Sequence, residues 1–201
     1  MNFPCWRPLR CCALGLILGF AQLAHAGAIH DVRGFLPDLR FTLEGPGGKA
    51  VTQQAFLGKT VIVYFGYTNC PDVCPTTLAQ LAQVVKNLGS LARNVRVIFI
   101  SVDPHRDTPA RMQTYVHAFF DQGAMGLTGT DSQIADVARR YRVAYKIDKP
   151  KPGSDGSYEV SHSRGIYIFD RKGHARLLAA DSDSAKDLAG RLRALMTQAA
   201  G

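Results

Sequence analysis

Two continuous apolar runs punctuate the chain: TVIVYF over Thr60–Phe65 and VRVIFISV over Val95–Val102. Short runs rich in β-branched residues, without a polar face, predict strands buried on both sides. A weaker strand is expected over Phe35–Leu43, ahead of the turn Gly45-Pro46-Gly47-Gly48. After Pro75 the period changes. Apolar residues recur at Leu78, Leu81, Ala82, Val85 and Leu88, which is helical spacing. Thr108-Pro109 predicts a helix with proline in its first position, running to about Phe120. Asp131 is expected to cap another helix that reaches about Tyr141, and Val143–Ile147 a short strand. Lys149–Tyr158 (KPKPGSDGSY) reads as a mobile loop. Gly165–Asp170 and His174–Ala180 flank Arg171-Lys172-Gly173 and predict a hairpin. Ser184 is expected to cap a last helix with Leu188, Leu192 and Leu195 on one face. No internal repeat is present.

Strands alternating with helices and ending in a hairpin predict an α/β domain. Its centre is a mixed β-sheet flanked by helices on both faces, with an N-terminal β-strand extension. A thioredoxin-like fold fits that order.

The N-terminus changes the picture of where the chain works. Residues 1–26 read as a secretory signal peptide: Arg7 and Arg10, an apolar stretch from Cys11 to Leu23, then Ala24-His25-Ala26. The alternative is an uncleaved N-terminal anchor, although the apolar run is short for a membrane span of roughly 20 residues. Residues 27–34 read as a flexible tail and 35–201 as one domain. Export implies an oxidising compartment, the bacterial periplasm. Three of the five cysteines fall in the leader, which leaves Cys70 and Cys74. Two cysteines are too few for a disulfide scaffold. The formal charge of +8 is spread over scattered residues such as Arg93, Arg106, Arg139 and Lys146. Without a basic block or interleaved aromatics, a nucleic-acid partner is not expected.

The chemistry then rests on GYTNCPDVCPTTL, Gly66–Leu78. The motif lies between a buried strand and a helix start, where backbone N–H groups favour a thiolate. Cysteines four apart can share one side of a turn or helix. Such a pair can close a disulfide or bind a soft metal ion with help from imidazole. His105, after a strand end, and His162, between the loop and a buried strand, are the histidines placed to help. His30, His117 and His174 read as surface groups.

At these residues the sequence resembles the Sco/SenC copper-chaperone family. The resemblance runs from about Phe35 to Leu195. It rests on FGYTNCPDVCPTTL (Phe65–Leu78), ISVDPHRDTP (Ile100–Pro109), GLTGT with the helix ending at Tyr141, and YEVSHS (Tyr158–Ser163). It implies a thioredoxin-like domain that binds one copper ion, Cu(I) or Cu(II), through Cys70, Cys74 and His162. It also implies a role in maturing a cytochrome oxidase copper centre, most often Cu-A of subunit II. The copper-bearing oxidase subunit would be the acceptor, with another periplasmic copper chaperone or a thiol reductant as further partners. Two thiolates and an imidazole suit three-coordinate Cu(I), and a weak extra ligand lets the same set hold Cu(II). Asp72 and Asp103 are the secondary candidates. A helix N-terminus explains Asp72 as well, and strand-end turn chemistry explains Asp103. Tyr67 could shield the site or equally be ordinary aromatic packing. Family members are commonly tethered by an N-terminal transmembrane helix, whereas this leader looks cleavable.

The same dithiol serves a second reading, a thiol–disulfide oxidoreductase that reduces a partner's metal-site cysteines. A distant imidazole separates the two readings, since only copper needs it. A peroxidase of the same fold would need an activating set around one cysteine, and none is evident.

Overall fold

The structure, a computed structural model, describes residues 29–150 and 157–198. The predicted leader, and positions 151–156 of the predicted loop, lie outside the described residues.

Among the described residues, ten strands and four α-helices follow one another. In chain order they are β1 (His30–Asp31), β2 (Thr42–Glu44), β3 (Ala50–Thr52), β4 (Thr60–Gly66), α1 (Val73–Asn87), β5 (Val95–Ser101) and α2 (Pro109–His117). Then come β6 (Ala124–Leu127), α3 (Asp131–Arg140), β7 (Tyr145–Ile147), β8 (Val160–His162), β9 (Gly165–Phe169), β10 (Ala175–Ala180) and α4 (Ala185–Gln198). Six strands form the central sheet in the order β1-β10-β9-β4-β5-β6. β4, β5 and β6 run parallel, while β9, β10 and β1 add on antiparallel. The sheet is therefore mixed, in a thioredoxin-like arrangement.

The two continuous apolar runs occupy the centre. Every residue of β4 is buried, as is all of β5 except the half-buried Arg96. Each large side chain removed from water there contributes roughly 1.5–3 kcal/mol. Alternation along β4 sends successive side chains to opposite faces. Phe65 meets Tyr141, just past α3, with ring centroids 6.3 Å apart. Tyr64 points the other way, toward Cys74 of α1. Helices thus cover both faces, and α1 packs against α4.

Several boundaries differ from the sequence expectation. The residues of the 27–34 tail that the structure describes are anchored: His30 and Asp31 pair with Leu178 and Leu177 at the sheet edge. Phe35–Leu43 is not a strand until Thr42. Leu39, Phe41 and Leu43 are buried in alternation, as a strand would have them. But the backbone N–H groups before Thr42 go elsewhere. Arg40 donates to the Tyr141 hydroxyl (2.8 Å) and Phe41 to Gln53 Oε1 (3.2 Å). The cap of α3 is Thr130, not Asp131. Thr130 and Gln133 exchange side-chain-to-backbone bonds in a capping box, with Asp131 in the first turn. α1 begins at Val73, so Cys74 lies inside the helix, and Pro75 sits in the first turn, where a missing N–H costs little. Thr108 and Ser184 cap their helices as expected.

Candidate metal centre

Parallel pairing of β4 with β5 sets Gly66 beside Ser101, so the two following loops leave the sheet at one edge. Carboxyl ends of parallel strands are where α/β sheets gather their ligands. The first loop carries Cys70 and runs into α1, which carries Cys74. A third segment reaches the same place. β8 pairs with β7 and sets Tyr145 opposite His162. His162 Nε2 then lies 3.4 Å from Cys74 Sγ, across 88 positions of sequence.

The imidazole is oriented by its neighbour. Nδ1 lies 2.8 Å from the Ser163 carbonyl oxygen. A carbonyl only accepts, so Nδ1 carries the proton and Nε2 presents its lone pair to the sulfur. Burial also holds the ring's pKa below the usual histidine value, and Arg164 adds to this. The ring is therefore neutral near pH 7, as a metal ligand must be.

The two thiols are free and unequal. Burial raises the Cys70 pKa, but N–H donation from Cys74 and Asp72 outweighs it and brings the thiol below its ordinary value. The Cys74 N–H to Cys70 Sγ distance is 3.4 Å. Cys74 is fully buried, and that burial pushes its thiol up to about 12. The strand-to-helix junction therefore activates one cysteine, not both. Sulfur and imidazole donors are adjacent without being closed into a cage: among the described residues no three ligating side chains form a ready metal site.

Aromatic rings wall the site. Tyr67 stands edge-on to His162 at 6.0 Å, and Tyr64 does so at 6.2 Å. The Tyr64 hydroxyl lies 4.0 Å from Cys74 Sγ. Gly66 leaves room for that sulfur. A Cβ there would come within 2.8 Å of Cys74 Sγ and 2.7 Å of Phe99.

The two secondary candidates are placed differently. Asp72 is exposed at the N-cap of α1, and its side chain makes no capping bond. Asp103 is fully buried and committed: Arg106 Nε bonds to Oδ2 and the Tyr158 hydroxyl donates to Oδ1 at 2.7 Å. His105 points to Asp131, 3.3 Å away at the surface. Nothing in the sequence singled out Asp107. It is fully buried and holds the cysteine loop: the Thr68 N–H and hydroxyl donate to it at 3.1 and 2.5 Å, and Ser101 at 2.6 Å. Its place in SVDPHRDTP, beside a strand end, was the one available signal.

Fold and site together define a thioredoxin-like protein with a dithiol–imidazole centre at the strand ends. The SCO1/SenC family model matches residues 36–197, and the chain belongs to that family. It is 43% identical over 135 residues to the mitochondrial SCO2 homolog of Bos taurus, an alignment covering 66% of this chain and 50% of the bovine one. The chain spans about half the length, or less, of the first curated relatives it matches. Among solved structures it is similar to copper-bound ScoI of Bradyrhizobium japonicum, with 40% identity and a TM-score of 0.69 over 79% of this chain and 98% of that one. Copper-bound ScoI of Arabidopsis thaliana matches with 33% identity and a TM-score of 0.73, covering 80% and 98%. No helix among the described residues is long and apolar enough to cross a membrane.

Proposed function

We propose that the protein captures one copper ion between Cys70, Cys74 and His162 and passes it to a copper centre of cytochrome oxidase, Cu-A of subunit II. The observation that carries this reading is the 3.4 Å approach of His162 Nε2 to Cys74 Sγ, which brings imidazole to a buried thiol. Two sulfurs and one nitrogen satisfy Cu(I), and a trigonal set leaves an open side for an acceptor's ligand. Cys70 is the half-exposed member and ionises more easily, so it meets the ion first and leaves last. The leader-like first 26 residues support a site of work after export, in the periplasm.

Copper titration of the wild type and His162→Ala tests the assignment. The variant should lose more affinity than the roughly 10–100-fold that removing an outer-shell partner costs. Equal binding by both would sink it.

One observation favours a second activity, thiol–disulfide exchange with a partner. The pair divides into a more acidic, half-exposed Cys70 and a buried, protonated Cys74, the division of an attacking and a resolving thiol. A reduction potential near or below about −270 mV, with catalytic turnover on a disulfide substrate, would support it.

A further inference from the structure

The segment that carries His162 is held at two points. On one side it pairs with β7, and Ser163 exchanges bonds with Ala144 at 2.8 and 3.0 Å. On the other side, four residues before the histidine, Tyr158 meets Arg106. The guanidinium carbon stands 3.7 Å from the centroid of the Tyr158 ring. Arg106 Nη1 donates to the Tyr158 carbonyl at 3.1 Å, and Arg106 Nε bonds to the buried Asp103. The Tyr158 hydroxyl closes the circuit on Asp103 Oδ1. The same guanidinium is 5.8 Å from the ring of Tyr67, which is the ring standing edge-on to His162.

We infer that Arg106 and Tyr158 form a latch that positions His162 against the cysteines, tying the segment of the third ligand to the loop after β5, which Asp107 in turn fastens to the cysteine loop. This rests on the reading of His162 as a copper ligand and says what sets its approach. The arrangement is costly for a purely structural contact. Among the described residues, Arg106 Nη2 is buried with no hydrogen-bond partner, a loss that a surface arginine avoids by turning outward. Among them too, Asp103 is buried with only this circuit to balance its charge. What the circuit gains is a fixed distance between two stretches of chain that the sheet alone does not join.

The latch is removed at its neutral member, Tyr158, because truncating Arg106 would leave Asp103 unpaired. Tyr158→Ala should weaken copper binding about tenfold, as loss of a desolvated cation–π contact implies. Tyr158→Phe keeps the ring over the guanidinium and should recover most of that loss. In a His162→Ala background, Tyr158→Ala should change copper affinity no further, since the ligand it positions is gone. The same fold-loss in both backgrounds, or no loss in either, overturns the latch. A metal-free readout keeps it separate from the copper assignment. Amide exchange at 160–163 in apo Tyr158→Ala should quicken while β4 stays protected. Unchanged exchange there overturns the latch even if His162 proves to be a ligand. Quickened exchange with copper affinity indifferent to His162→Ala would leave the latch standing and remove the ligand.

Discussion

The backbone N–H of Cys74 donates to the sulfur of Cys70 at 3.4 Å, so the buried cysteine makes its neighbour the more acidic of the two. The donor is fixed by α1, since Cys74 lies in the first helical turn, where N–H groups have no partner within the helix.

That asymmetry sets the order of alkylation. Iodoacetamide at neutral pH should modify Cys70 first, with a rate that levels off below the pH expected of an ordinary thiol. Cys74, buried with its thiol near 12, should react only on unfolding. Mass spectrometry of each cysteine-bearing peptide reads both rates. Equal rates, or Cys74 reacting first, would contradict the assignment.

Copper binding should release protons. The Cys74 thiol is protonated at every pH below about 12, so any ion bound to its sulfur displaces that proton. Apparent affinity should therefore rise about tenfold per pH unit from this group alone. Cys70 adds to the slope only while it is still protonated, below its lowered pKa. His162, with its pKa lowered, competes only on the acid side. Competition titrations from about pH 6 to about pH 8 measure the slope, and a flat profile would mean that Cys74 is not a ligand.

Gly66→Ala should damage the centre without touching a ligand. The added methyl meets Cys74 Sγ and Phe99 at distances no real Cβ tolerates, and the rings beneath are close-packed. Overpacking of this kind costs roughly 1–3 kcal/mol. Denaturant unfolding should show that loss together with weaker copper binding. A variant as stable as the wild type would mean that the sulfur has room to move.

Asp107→Ala should loosen the cysteine loop. It removes the acceptor of three bonds, from the half-buried Thr68 N–H and hydroxyl and from the buried Ser101 hydroxyl. Each orphaned buried donor costs about 1–3 kcal/mol unless water reaches it. We expect a lower melting temperature and faster amide exchange at Thr68. Unchanged exchange at Thr68 would refute the tether.

The sequence made some of this plain. TVIVYF and VRVIFISV could only be central strands, and the dithiol with its strand-to-helix position is local, so residues within a few places of each other reveal it. His162 is different. Periodicity left it level with His105, and only the resemblance of YEVSHS selected it, because the pairing of β7 with β8 is a fact of topology. Asp103 looked like a turn residue and Asp107 carried no mark at all, since burial of a carboxylate depends on what the next segment brings to it. Phe35–Leu43 shows the converse failure. It was read as a strand, but Phe35 and Leu36 turn back on Val32, and only Thr42–Leu43 pair; the pattern cannot say whether a second strand or a tyrosine hydroxyl will take the N–H groups.

Cys74 and His162 are 88 positions apart in the chain, and an ion shared between them closes that whole span. A permanent cross-link over such a length would withhold about 4.5 kcal/mol of freedom from the unfolded chain. On the proposed reading the clasp would come and go with the ion. The loaded molecule would be the sturdier one, and heat or protease resistance a gauge of how much of the population carries its ion.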